Sequence, residues 1–329
     1  MAKTTQWREL HGSAFDQQAV LITGGAGFIG SHLASALIEL GARVTVLDDL
    51  SGGGDPAELP KGVNFVKGSI LNRDLLADCC VGRRWIFHEA ALGSVPRSIE
   101  QPELYFEVNA RGTLNVLEMA KSANVSRVLF AASSSAYGDS ETLPKIETMA
   151  TNPLSPYAAT KVTCEALLAA YSHSYSLDTA SLRYFNIFGP RQRADNAYAA
   201  VIAAFAKAML SSEKPAIFGD GTQSRDFTFV DNAVHANLLA ARREQRLSGA
   251  IINIACGVRT SVTELATEMA RGLNRPDLQP KYLPVRAGDV KHSVADLSRA
   301  KAMLGYQPIV DFADGLQSTL AWYRQIYAK

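Results

Sequence analysis

An α/β fold is what this sequence predicts: a doubly wound parallel sheet followed by a smaller carboxyl-terminal α/β unit. Three observations point to it. The apolar, β-prone run Ala19–Thr23 meets a glycine turn and then a helical pattern, and a second such run, Arg43–Leu47, ends in paired aspartates. Strand and helix patterns then keep alternating to about residue 185, as they do where parallel strands are joined by crossover helices.

The first strand is apolar throughout, which suits burial on both faces of a sheet. After it, Gly24-Gly25-Ala26-Gly27-Phe28-Ile29-Gly30 satisfies G-x-G-x-x-G from Gly25 and G-x-x-G-x-x-G from Gly24. Without side chains in the turn, backbone N–H groups at the helix start can approach phosphate oxygens closely. The turn therefore predicts a seat for a dinucleotide pyrophosphate in a Rossmann-type unit. Asp48 and Asp49 stand at the end of the second strand, where a carboxylate accepts hydrogen bonds from the adenosine ribose hydroxyls. A ribose phosphate would be repelled there, so NAD is expected rather than NADP.

Further along, the strand Arg127–Ala131 runs into Ala132-Ser133-Ser134-Ser135-Ala136-Tyr137-Gly138, which places hydroxyls at the carboxyl end of a strand, where doubly wound sheets bind ligands. Ser155-Pro156 then opens a helix expected to run to about Ser174, with proline in the first turn where its missing N–H costs little. Tyr157 and Lys161 fall at i and i+4 on one face of that helix. A nearby ammonium stabilises phenolate, so the phenol can act first as general base and then as general acid, for about 10²–10⁴ in rate. Alone, Tyr-x-x-x-Lys is ordinary helix surface. Together with the serines and the glycine turn, it predicts hydride chemistry on an alcohol.

These segments resemble the extended short-chain dehydrogenase/reductases of the nucleotide-sugar epimerase and dehydratase group. The likeness covers nearly all the chain after residue 18. It is carried also by His88-Glu89-Ala90-Ala91, Asn109-Ala110-Arg111-Gly112-Thr113, Tyr137-Gly138-Asp139, Arg183-Tyr184-Phe185-Asn186-Ile187-Phe188-Gly189-Pro190 and Arg225-Asp226-Phe227. The resemblance implies a Rossmann domain over 19–185 with a returning segment near 228–257. It implies a sugar-nucleotide domain from 186–227 and 258–329, and a homodimer through helices near 109–122 and 157–174. Ser133, Tyr157 and Lys161 would be catalytic. Gly24, Gly27, Phe28, Ile29, Gly30, Asp48, Asp49, Ser69, Ile70, Ala90, Ala91, Leu92, Asn109 and Tyr184 would meet NAD together with the tyrosine–lysine pair. Gly68-Ser69-Ile70 departs from the usual Gly-Asp-Ile, so the adenine amino group would lose a carboxylate contact.

Relatives that eliminate water or carbon dioxide carry an acid just after the hydroxyl position, where this chain has Ser134, Ser135 and Ala136. The resemblance therefore implies inversion at carbon 4 of a UDP-hexose through a transient 4-keto sugar, with NAD restored each turnover. The chain is further similar to UDP-N-acetylglucosamine 4-epimerases through Trp7-Arg8-Glu9-Leu10, Ala91-Leu92-Gly93-Ser94-Val95-Pro96-Arg97-Ser98, Asn196-Ala197-Tyr198-Ala199-Ala200-Val201 and Gly288-Asp289-Val290-Lys291-His292-Ser293. Ser293 falls where glucose-restricted relatives carry tyrosine, which would leave room for a 2-acetamido group. By the same matching, Gly93, Ser94, Ser133, Ser134, Ala200, Val201 and Phe218 would line the substrate site. Asn186 would contact the diphosphate, Arg225 and Arg286 would neutralise it, and Asp289 would accept uridine ribose hydroxyls. UDP-glucose or UDP-glucuronate as substrate, a net reductase releasing reduced cofactor, and a catalytically silent NAD sensor stay open as alternatives.

Bulk properties agree with an enzyme of small molecules. The 329 residues are 47% hydrophobic with a formal net charge of +1, which offers no broad field for nucleic acid or acidic membranes. The leader Met1–Gln18 is polar and no segment approaches a membrane span, so a cytoplasmic location and no membrane partner are expected. Four cysteines and six histidines form neither a disulfide framework nor a ligand spacing, and no metal is predicted.

Overall fold

A computed structural model describes residues 5–192, 200–284 and 291–327. Strands β1 (Ala19–Thr23), β2 (Arg43–Asp48), β3 (Asn64–Lys67), β4 (Trp85–His88), β5 (Arg127–Ser133) and β6 (Asp178–Tyr184) share one seven-stranded sheet with a late strand, Ala250–Ile254. The spatial order is β3-β2-β1-β4-β5-β6 and then 250–254, and every neighbouring pair is parallel. Having built outward from β1 to β3, the chain crosses back to lay β4 on the other side of β1. The crevice outside the carboxyl ends of β1 and β4 is thus a topological switch point, where open α/β sheets take ligands.

The helices on the sheet are α1 (Trp7–His11), α2 (Phe28–Glu39), α3 (Arg73–Cys80), α4 (Val95–Glu100), α5 (Pro102–Tyr105), α6 (Gly112–Ser122) and α7 (Pro156–Ser174). They are followed by α8 (Val201–Leu210) and α9 (Val230–Arg242). A π turn over Phe106–Arg111 carries α5 into α6. Alternation along β1 sorts its side chains between two cores. Val20 and Ile22 pack with Leu33 and Leu37 of α2 and Val234 and Leu238 of α9. Leu21, one residue out of phase, packs on the other face with Leu76, Val116, Leu117 and Leu168. A separate cluster gathers Phe188, Phe205, Ile217, Phe229, Leu265, Met269, Leu316 and Tyr323.

Arg127 ties the sheet to α9. Its guanidinium donates to the Asp178 carboxylate at 2.5 Å and to the carbonyls of Ala240, Ala241 and Arg243, where the helix ends with unsatisfied acceptors. Asp178 in turn accepts from the backbone N–H groups of Leu247 and Ser248, just before the seventh strand. Among the described residues no helix is long and apolar enough to cross a membrane.

Candidate active site

The glycine turn is built for close approach. Gly24 has φ +70°, and a Cβ on it would lie 2.5 Å from the Ala90 nitrogen at the end of β4. At Gly30 a Cβ would press into the Gly24 carbonyl, so α2 starts tight against the turn. Asp48 braces the same turn, accepting from the Ala26 N–H at 2.9 Å and the Leu50 N–H at 2.8 Å. Burial raises its carboxyl above the usual range. Asp49 accepts from the Ser51 N–H and hydroxyl. A cavity of about 330 Å³ opens here, walled by Gly24, Gly27, Phe28, Ile29, Gly30, Asp48, Asp49, Ile70, Ala90, Ala91, Leu92 and others. Bare backbone at the start of a 12-residue helix, with carboxylates and no basic side chain on the described wall, fits NAD.

A neighbouring cavity of about 770 Å³ shares Phe28, Ile29, Glu89, Ala91 and Gly93 with the first. Its wall brings together Ser133 and Ser134 from the end of β5 with Tyr157 and Lys161 from α7. Ser155 caps that helix, accepting from the Ala158 N–H at 3.2 Å, and the cap fixes where the phenol emerges two residues on, within the first turn. Lys161 is 4% exposed and donates to the Ala131 carbonyl of β5 at 2.6 Å. Its ammonium lies 4.6 Å from the Phe130 ring centroid and 5.9 Å from that of Tyr157. Ser133 accepts from the Ser135 N–H and hydroxyl, at 3.2 and 2.8 Å, which leaves its own proton to donate into the cavity. The wall thus offers a half-buried phenol, a fixed cation and a hydroxyl donor, the parts for moving a proton to or from an alcohol.

Two neighbours at the end of β4 behave differently. His88 is buried between the Thr23 and Thr113 hydroxyls, and burial lowers it to about 3, so it is a neutral structural group. Glu89 reaches both cavities and accepts from the Tyr184 hydroxyl at 2.9 Å. Burial pushes its carboxyl up to about 7, against the opposing pulls of that hydrogen bond and of Lys161. In the sequence Glu89 stands out only as part of a matching segment. An ionisable residue directly after an apolar strand, at its carboxyl end, was the available signal.

On the far side, Asn186 and Arg225 line both the large cavity and a third one of about 570 Å³, which Ala200, Val201 and Phe218 also line. Asn186 has φ +38°, a conformation asparagine tolerates, and its amide donates to the Asp226 carbonyl at 3.1 Å. Arg225 donates to the Ser224 and Lys291 carbonyls. Ser293, 9% exposed, faces the large cavity. Three expected contacts stand outside these walls. Asn109 is buried as a clamp, exchanging hydrogen bonds with Leu92 and donating to Thr160 of α7. Ser69 turns its hydroxyl to the Leu71 N–H, and Ser94 caps α4 by accepting from the Arg97 N–H. Tyr184, by contrast, lines the large cavity and meets Glu89 and Asn237. Arg286 and Asp289 lie outside the described residues.

The model of the NAD dependent epimerase/dehydratase family matches residues 20–255. A UDP-glucose 4-epimerase of Mycolicibacterium smegmatis is 39% identical, over 92% of this chain and 98% of its own length. A UDP-glucuronate 4-epimerase of Thermodesulfobacterium geofontis is 33% identical, over 93% and 96%. Among solved structures, a UDP-N-acetylglucosamine 4-epimerase from Methanobrevibacter ruminantium M1, in complex with UDP-N-acetylmuramic acid, superposes with a TM-score of 0.90. It is 38% identical and covers 94% of this chain and 99% of that one.

Proposed function

We propose, from the premise that the chain belongs to the NAD dependent epimerase/dehydratase family, that it inverts carbon 4 of a UDP-hexose, with UDP-N-acetylglucosamine and UDP-N-acetylgalactosamine as its preferred pair. One observation carries the reading: Ser133, Tyr157 and Lys161 share a wall of the cavity that the glycine cleft opens into. The cleft would hold NAD through the turn at Gly24, Gly27 and Gly30 and the carboxylates of Asp48 and Asp49. When bound, NAD supplies the acceptor, and later the donor, of the hydride at carbon 4.

The chain's own residues then handle the proton. Tyr157 Oη takes it from the sugar 4-hydroxyl and returns it once the centre has inverted, while Ser133 Oγ donates a hydrogen bond to the reacting oxygen. Lys161, held against the Ala131 carbonyl, keeps a positive charge beside the phenolate that accepts the proton. Asn186, Arg225, Ala200, Val201 and Phe218 are proposed to hold the nucleotide while the sugar presents either face. Arg286 and Asp289 keep the roles the resemblance implies. The N-acetyl preference rests on Ser293, whose small side chain lines the sugar cavity. We assign the dinucleotide unit to 19–185 and 228–257, the sugar-nucleotide unit to 186–227 and 258–329, and a dimer interface to the helices near 109–122 and 157–174.

Proton NMR on purified protein tests the reading. UDP-N-acetylglucosamine, UDP-glucose and UDP-glucuronate are each incubated without added cofactor, and the 4-epimer of the N-acetylated sugar is expected to accumulate fastest. Conversion of the uronate alone would replace the substrate assignment, and steady consumption of NADH in a parallel incubation supplied with it would replace the reaction.

A further inference from the structure

Glu89 is a half-buried acid that the proton chemistry above does not use. It stands at the carboxyl end of β4, continues the ladder by donating its N–H to the Thr23 carbonyl at 3.0 Å, and lines both the dinucleotide cleft and the sugar cavity. Its carboxylate is oriented from behind. The Asn237 amide of α9 donates to the Tyr184 hydroxyl at 2.6 Å, and that hydroxyl donates to Glu89 at 2.9 Å. A chain of two hydrogen bonds from two separate elements is a built arrangement rather than a loose surface acid.

Resting on the dinucleotide reading of the cleft, we propose that the Glu89 carboxylate sets the balance between the two redox forms of the bound dinucleotide, favouring the oxidised form, whose nicotinamide ring carries a positive charge. The same wall holds Lys161, a buried ammonium that disfavours a second cation nearby. An anion at the junction offsets that repulsion, and in a site of low dielectric a charge a few ångströms away outweighs the same charge in water. The reduced ring is neutral and gains nothing from it.

The groups acting on Glu89 are Lys161 from α7 and Tyr184 from β6. Neighbouring His88 is neutral, Tyr157 shares the sugar-cavity wall, Lys145 and Arg225 lie further along it, and Asp48 and Asp49 line the cleft beyond. Since burial raises Glu89 to about 7, its carboxylate forms as pH rises through that value, and the preference for the oxidised form should strengthen in the same direction.

The holoprotein and a Glu89→Gln variant are equilibrated with a fixed mixture of NAD and NADH, washed, and extracted, and the retained oxidised-to-reduced ratio is measured across pH. Glutamine keeps an acceptor for Tyr184 and removes the charge. The ratio is expected to fall about tenfold in the variant above neutral pH, and the wild-type rise through about pH 7 to be absent from it. The wild-type profile needs no variant to fold. Equal ratios and equal slopes in the two proteins would overturn the role of Glu89 alone; retention of neither form would overturn the reading of the cleft and the proposal with it.

Discussion

At Tyr157 a single oxygen should separate binding from turnover. Tyr157→Phe keeps the ring over Lys161 and loses only the oxygen proposed as base and acid, so NAD retention should persist while turnover falls by about 10²–10⁴; near-normal rates would remove the phenol from its proposed role. Ser293 tests sterics instead. A tyrosine there would fill part of the large cavity, and under the proposed function Ser293→Tyr is expected to suppress the N-acetylated substrate while sparing UDP-galactose. Equal loss on both substrates would end the gatekeeper idea. The tyrosine–lysine pair was legible because i and i+4 spacing on one helix is local. Asn109 shows the opposite case, because its amide joins Leu92 to Thr160 across the chain. Nothing near Asn109 in sequence names those partners.

Among elements, the junction of β1 and α2 is the least tolerant of added atoms. A methyl on Gly30 would meet the Gly24 carbonyl and the Gly25 backbone, neither of which can swing aside. Gly30→Ala should cost about 1–3 kcal/mol of stability by overpacking and weaken NAD retention with it; chemical denaturation beside cofactor extraction would show both, and an unchanged denaturation midpoint would contradict the close packing. β1 and β2 were readable because apolar runs bounded by glycine and aspartate carry their own stop signals. The π turn at Phe106–Arg111 was not, since nothing local separates it from the helices it joins.

For the whole molecule, the Arg127–Asp178 pair links β5, β6, the end of α9 and the turn before the seventh strand. Asp178→Ala leaves a buried guanidinium unpaired, and a loss of about 3–5 kcal/mol is expected in denaturant melts; a loss below about 1 kcal/mol would show that the carbonyls around Arg127 suffice alone. Acid should weaken the fold as well. Burial lowers His11 and His88 to about 3 and His32 and His235 to about 4, from an ordinary 6.5. Below 6.5 the unfolded chain binds protons that the folded one refuses, so stability present above that pH is lost as pH falls towards the folded values. Glu89 and Asp226, raised to about 7 and about 6, pull the other way, as do the carboxyls of Asp48 and Asp231, which burial also raises, but four large histidine shifts outweigh two large carboxyl shifts. The denaturant midpoint should therefore drop from about pH 6.5 into the acid range, and a midpoint that stayed level would refute the balance.

Sequence alone determined the alternating α/β plan, the glycine turn, the paired aspartates and the tyrosine–lysine spacing, because each depends on residues within a few positions of one another. Only the tertiary structure decided that Ser133, Tyr157, Glu89, Asn186 and Ser293 face one cavity and that Glu89 is held by Tyr184 and Asn237. Strand order makes those neighbours. β4 lies beside β1 and the strand 250–254 lies beside β6, and parallel pairing across such distances follows from how both faces of the sheet bury their apolar side chains together.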